Sequence, residues 1–563
     1  MISFMLIRDI ISNRLVKAIQ DAQHRGAIQS DIEIPDTGLI ERPQKSENGD
    51  FASSFPLRVA KSLKKAPMEI AQTIADAFEI GGCIGEIFVA PPGFINFKLS
   101  SAWLQLQIEE ICNQPEVFGN TDTGEGRTVQ VEFVSVNPTG PVHVGHARGA
   151  VLGSALANAL SAAGFNVTRE YYVNDAGTQM ELFYSSTFAR YAQARGRKEF
   201  DIPENGYQGA YLVELGEKLA EQYESKYLEM DEQKAISELG EEALNLMLRV
   251  IRKDLEQIGV NFDVWFREKT LYEDGKYEAT INYLRARGLT DVHDGAEWFT
   301  STALGDEKDN VIIRTSGAPT YFASDIAYHR DKFLERKFDY VINIWGADHQ
   351  GHVPRMKAVM KALELDPDRL TILIAQLVTL KSGGDIVRAS KRTGQIVTLA
   401  DLVEEVGADA CRYFFLARAA ESQMEFDLEL AKRESSENPV FYVQYAHARI
   451  SSILQQACDR GIVWSDGDTS LLNDDAELQL LKKMLQLPEI IDTIAITLAP
   501  HALPHYSVEL ATAFHGFYDH CRVLSNDPDE EPIMKARLKL VESAKIALSR
   551  TLDLMGMSAP EKM

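Results

Sequence analysis

The sequence predicts an α/β multidomain protein built on a doubly wound parallel sheet, with an α+β unit before it and an all-α bundle after it. Three observations carry that reading. Short β-rich apolar runs alternate with helical patterns between residues 128 and 380, with polar clusters at the strand ends. Residues 1–115 mix helix and strand signals, and from Asn438 onward the pattern is helical almost throughout. A chain of 563 residues is too long for one core. We expect units at 1–115, at 116–380 with a helical insertion near 180–290, at 381–437 as a connecting region, and at 438–563.

In the first unit, apolar spacing predicts a helix over 6–23, a turn at Glu47-Asn48-Gly49-Asp50-Phe51, helices over 56–65 and 67–78, and strands near 87–89 and 94–98. Arg58, Lys61 and Lys65 then share one helical face, which suits an RNA backbone; a solvated face is the alternative.

The second unit opens with TVQVEFVSVNPTGPVHVGHARGAVLGSALANALSAAG, residues 128–164. It reads as a buried strand, an Asn137-Pro138-Thr139-Gly140 turn, and a long alanine-rich helix ending at Gly164. His143 and His146 sit three apart at the helix start, where free N–H groups and the dipole favour phosphate. Gly145 between them lets a flat base approach the backbone. A nucleotide on this helix is the functional reading. A metal pair is the alternative, without carboxylate or thiol ligands at the usual spacing, so no protein-bound zinc is expected.

A second strand over 166–173 precedes Asn174-Asp175-Ala176-Gly177, and residues 180–287 read as mostly helical and charged. Strand character returns at 311–314, then at 340–345 before Gly346-Ala347-Asp348-His349, and at 370–380 before a loop with Gly383-Gly384. In such sheets ligands lie at the carboxyl edge. The last unit carries helical segments at 439–458, at 480–494 (where Pro488 kinks or splits the helix) and at 533–555.

Composition sets limits. The formal charge is −25, and 438–563 is itself acidic, with 11 Lys+Arg against 17 Asp+Glu, so RNA contact there would rest on aromatic stacking and a few local cations. Five scattered cysteines without Cys-x-x-Cys fit a reducing cytoplasm. MISFMLIRDI lacks the features of a secretory signal, and no run approaches the length of a membrane span.

The chain resembles a class I aminoacyl-tRNA synthetase, and within that class an arginyl-tRNA synthetase, over essentially its whole length. His143-Val144-Gly145-His146 is similar to the HIGH signature and Arg388-Ala389-Ser390-Lys391-Arg392 to the KMSKS loop. VEFVSVNPTGPVHVGHARGA, YFASDIAYHRDKF, GADHQGHVPRMKA, FYVQYAHARI and LMGMSAPEKM resemble arginyl-type blocks. Arg388 replaces the first lysine of the loop and Ala389 its methionine; a guanidinium fork is not an ammonium.

The resemblance implies a Rossmann-type catalytic domain, an N-terminal domain at the tRNA elbow and a C-terminal anticodon-binding bundle. It implies that ATP with Mg2+ activates L-arginine to arginyl-adenylate, and that arginine passes to the 2′-OH of the terminal adenosine of tRNA(Arg), with tRNA needed for activation. By the same likeness His143, His146, Arg388 and Lys391 are catalytic, and Gly145, Asp348, His349 and Ser390 join His143, His146 and Lys391 around ATP. Glu132, Ser135, Asn137, Tyr321 and Asp325 hold arginine, with a helix cap as the alternative for Asp325. Tyr445, His447 and Arg449 become candidate anticodon-loop contacts, with an aromatic core stripe as the rival reading for Tyr442 and Tyr445. A monomer in the cytoplasm, without membrane contact, is expected. A small-molecule nucleotidyltransferase would share His-x-Gly-His but not the helical C-terminal unit or the guanidinium site. A catalytically silent RNA-binding relative would have lost His143, His146 or Lys391.

Overall fold

The computed structural model describes residues 6–29, 32–35, 38–386 and 397–563. The signature-loop residues Arg388, Ser390 and Lys391 lie outside them.

The N-terminal unit packs the helices Ile7–His24, Phe55–Leu63 and Pro67–Ala77 on a three-stranded antiparallel sheet, β1 (Phe51–Ser53), β2 (Ile84–Ala90) and β3 (Phe94–Leu99), in the order β1-β3-β2. The strand β1 occupies the end of the stretch expected as a turn. Ion pairs dock this unit on the C-terminal bundle: Arg8–Asp492 at 2.9 Å, Arg42–Glu489 at 2.8 Å and Asp50–Lys482 at 2.8 Å.

The central sheet is parallel, with strands β4 (Thr128–Glu132), β5 (Asn166–Val173), β6 (Val264–Arg267), β10 (Tyr340–Gly346) and β11 (Leu370–Ala375) in the order β11-β10-β4-β5-β6. The chain winds outward from β4 to β6 on one side and from β10 to β11 on the other. That reversal at β4/β10 opens a crevice at the carboxyl edge. The signature helix Val144–Ala162 lies across it, buried nearly all round, as its Ala/Leu composition requires. A Cβ on Gly153 would stand 2.2 Å from the Phe133 ring, so only glycine lets this helix pack so close to the end of β4.

Three elements differ from expectation. The strand β6 interrupts the stretch read as helical, because four residues between two helices are too short to show a period. The strand at 311–314 belongs to a separate antiparallel sheet of β7 (Thr290–His293), β8 (Ala296–Phe299) and β9 (Asn310–Ile313), outside the doubly wound one. The run 370–380 breaks at Gln376, whose N–H bonds Ala420 O. Its second half is β12 (Val378–Ser382), which pairs with β13 (Asp385–Ile386) and β14 (Met424–Asp427).

The C-terminal bundle comprises Pro439–Asp459, Asp475–Met484, Leu487–Thr497, Ala502–His520 and Glu531–Met555. Pro488 stands in the first turn of Leu487–Thr497, so the expected helix is split there.

Candidate active site

His143 is the N-cap of the signature helix, and its Nδ1 accepts from Gly145 N at 2.8 Å. The His143 and His146 rings face one space, with centroids 5.7 Å apart. Burial lowers the pKa of both, and burial plus the neighbouring His143 take His146 down to about 4, against an opposing pull from Asp348. Both rings are therefore neutral near pH 7 and act as hydrogen-bond partners rather than cations. Asp348 and His349 lie in the turn Ala347–His352 after β10, with His349 Nε2 3.4 Å from Asp348 Oδ2. The chain re-enters the described residues at Val397, whose carbonyl accepts from Val144 N, and Thr398 bridges His143. The residues that follow the signature loop are thus pinned beside the two histidines.

Across the crevice, β4 ends in a kink. Val134 and Ser135 take φ of 70° and 42°, a left-handed conformation costing about 1–2 kcal/mol per residue. The kink turns Ser135 Oγ to accept from Tyr172 N at 3.0 Å and to lie 3.4 Å from Glu132 Oε1. Asn137 bonds Gln179 at 2.7 Å and Asn174 at 3.0 Å. The pocket helix Tyr321–Arg330 is capped by Thr320, which removes the cap reading for Asp325; Asp325 stands mid-helix, one turn beyond the half-exposed Tyr321.

The Asp325 carboxyl is pushed up to about 7 by burial, then by Glu268 and Glu132, against Lys332 and Arg355. Glu268, buried just past β6, is also raised to about 7, by burial and then Asp175, against hydrogen bonds from Ser324 and Tyr172. The pocket thus gathers the carboxyls of Glu132, Asp325 and Glu268, and a planar cation with several donors is the ligand that would let Asp325 and Glu268 ionise. Sequence reasoning missed Glu268 because it missed β6; the apolar, β-prone run Val264-Trp265-Phe266 after Gly259 was the available signal. Among the described residues no group of three or more His, Cys, Asp or Glu stands where it could hold a metal ion.

The candidate RNA contacts divide. The Phe55–Leu63 helix ends before the left-handed Lys64, so Lys65 leaves the face that Arg58 and Lys61 share. Arg58 donates to Gly38 O, and Lys65 Nζ to Ala27 O at 3.0 Å. His447 is buried, with Nδ1 2.8 Å from Pro560 O, so it packs the C-terminal tail instead of facing solvent. Tyr445 is exposed, and Arg449 bonds its hydroxyl at 2.9 Å and lies over the Tyr445 and Tyr518 rings at 4.8 and 5.0 Å. Tyr442 is half-buried and bonds Thr512.

Three family models match in succession: the arginyl tRNA synthetase N terminal domain over residues 6–99, the class I (R) tRNA synthetase catalytic domain over 107–424, and the DALR anticodon binding domain over 443–563. The arginine–tRNA ligase of Dehalococcoides mccartyi (strain CBDB1) is 53% identical over 562 residues, covering 100% of each chain. The chain belongs to the arginyl-tRNA synthetases. The arginine–tRNA ligase of Carboxydothermus hydrogenoformans is 45% identical over 99% of this chain and 100% of its own. The solved Thermus thermophilus arginyl-tRNA synthetase superposes with a TM-score of 0.76 at 21% identity, over 99% of this chain and 100% of that one, and shows the fold. Membership excludes the small-molecule nucleotidyltransferase. As a class I arginine–tRNA ligase, the enzyme joins arginine to tRNA in two steps, activation with ATP and transfer. No described helix of this synthetase is long and apolar enough to cross a membrane.

Proposed function

We propose that the crevice between the signature helix and the pocket helix is where arginine is activated. The observation that carries this is the convergence of Asp325, Glu268 and Glu132 at the carboxyl edge of the sheet, in the same crevice as the paired histidines. Asp325 and Glu268, with Tyr321, take the guanidinium; Ser135 and Asn137 orient the α-amino and carboxylate end, and Glu132 supplies a further acceptor. The arginine carboxylate attacks the α-phosphate of Mg2+–ATP and pyrophosphate leaves, so the work is positioning and charge stabilisation. Neutral His143 and His146 donate to phosphate oxygens, Gly145 admits the adenine, and Asp348 and His349 line the ATP side. Lys391, with Arg388 and Ser390, meets the pyrophosphate. The partner is tRNA(Arg), with Tyr445 and Arg449 on the anticodon side and Arg58 and Lys61 near the elbow. Its binding precedes activation. The enzyme works as a monomer in the cytoplasm, where the scattered cysteines suit a reducing compartment.

Aminoacylation kinetics of Asp325→Asn test the pocket. The expected result is a KM for arginine raised by about 100-fold or more, with KM for ATP within about twofold, since a charge-paired acceptor is lost. An unchanged arginine KM would refute the assignment.

A further inference from the structure

Asn343, Glu132 and Glu170 are partners across three adjacent strands, β10, β4 and β5, so a row of buried polar side chains crosses the three central strands of the sheet at the last residue of β4. Such groups are tolerated only when each is satisfied. Facing the row is Asp331–Glu335, a single π turn that continues the pocket helix. Irregularities of this kind re-aim side chains at functional sites. This one buries Lys332 completely. Its Nζ donates to Glu132 Oε2 at 2.5 Å and to Asn343 Oδ1 at 3.1 Å, and lies 4.1 Å over the Tyr328 ring.

Asn343 Nδ2 stands 3.0 Å from His329 Nε2, and His329 Nδ1 is 2.8 Å from the carbonyl of Asp325. Burial and then Lys332 hold His329 down to about 3, so the ring is neutral. Its Nδ1 proton goes to the Asp325 carbonyl, Nε2 accepts from the Asn343 amide, and the amide oxygen is left for Lys332. One consistent set of donors and acceptors therefore runs from Glu132 through Lys332, Asn343 and His329 to the backbone of Asp325. With Oε2 held by Lys332, the other Glu132 oxygen is turned toward Ser135 and the pocket.

We propose that Lys332 is a positioning residue for arginine: bridging Glu132 and the Asn343–His329 relay beneath Asp325, it fixes the orientation and charge of the Glu132 carboxylate. This rests on the pocket reading above. The groups around Glu132 show why the ammonium is needed. Asp325 and Tyr328 face it from the pocket helix, Tyr172 and its strand neighbour Glu170 from β5, and Glu268 adds its charge at Asp325 and Tyr172. The other cations nearby are engaged: Arg336 binds Glu170 bidentately, and Arg355 acts on Asp325 and lies over Phe322. Without Lys332, the buried Glu132 carboxylate would lose its charge partner and the orientation with which it meets a cationic substrate.

The test is aminoacylation by full-length Lys332→Met, Glu132→Gln and the double variant, at about pH 6.5 and about pH 8.5. Lys332→Met should raise KM for arginine roughly 30-fold or more at the lower pH. KM for ATP should stay within about threefold, and the defect should shrink several-fold at the higher pH, where the pocket carboxyls shed their protons. Glu132→Gln should raise KM by the same factor over wild type at both pH values, and the double variant should match it. A Lys332→Met defect equal at both pH values, or a double variant about tenfold worse than Glu132→Gln, would overturn the proposal. Should Lys332→Met not fold, the double variant, which leaves no lone buried charge, decides on that last comparison. An unchanged arginine KM in Glu132→Gln would instead sink the pocket reading, and this inference with it.

Discussion

Asp325 and Glu268 hold protons near neutrality because burial strips water from them and Glu268 and Glu132 add negative field at Asp325. Their ordinary values are 3.8 and 4.5, so between those values and about 7 the folded protein binds protons that the unfolded chain has released. Stability from these groups therefore falls as pH rises through that window. A guanidinium placed between them favours the charged forms and expels the protons. KM for arginine should then fall as pH is raised from about 6 to about 8 and level off above, with KM for ATP as the control. An arginine KM flat across that range would contradict the account. At this scale legibility was uneven. Asp325, Tyr321 and Glu132, on which the proposed pocket rests, stand in the blocks that carry the family likeness. Lys332 was not legible, because Arg330-Asp331-Lys332 looks like a solvated helix face until the π turn buries it. His447 failed the other way: it stands two residues from both Tyr445 and Arg449, which puts it on the far side of the helix from them, where Pro560 docks against it.

The unit of strand, kinked turn and signature helix is the element that makes the site. Its order was legible, since β-rich residues, a Pro/Gly turn and an alanine-rich helix each point the same way. The helix positions two things at once: its first turn carries the histidines, and its glycines set how closely neighbours approach. A Cβ on Gly145 would stand 3.0 Å from His143 Nδ1, so Gly145→Ala must displace that ring. Alanine favours helix by about 1 kcal/mol over glycine, so stability should hold or rise while kcat/KM for ATP falls about tenfold or more. Melting curves and ATP kinetics on the same preparation check this; full activity would show that the ring is not where catalysis needs it. The other sheet elements were harder to read. The strand β6 is four residues long, and β11 and β12 run together in sequence although Gln376 turns the chain from one sheet into another.

Across the whole molecule, Arg412 ties three units together. It is fully buried and donates to Ile258 O at 2.5 Å, to Met555 O at the end of the last helix, and to Ser154 Oγ of the signature helix at 3.1 Å. Burial lowers its pKa to about 10, still well above physiological pH, so the charge is kept. Arg412→Met leaves two buried carbonyls without a donor, at a cost of about 2–4 kcal/mol, read as a lower calorimetric midpoint. Gly556→Ala should act in the same direction, because its Cβ would come within 2.3 Å of the guanidinium. A midpoint unchanged in both would mean that the tie carries no stability. Changes of pattern along the sequence suggested where units begin and end; the joints between them were not readable, because each rests on a few residues from distant segments.

On the reading proposed above, this crevice activates arginine, and only once tRNA is bound. Arginine-dependent exchange of pyrophosphate into ATP, with and without tRNA(Arg), in wild type and Asp325→Asn, measures it most directly. We predict exchange in wild type with tRNA present, none without it, and loss of at least about 100-fold in the variant at subsaturating arginine. Full exchange without tRNA would contradict the ordering, and undiminished exchange in Asp325→Asn would contradict the site.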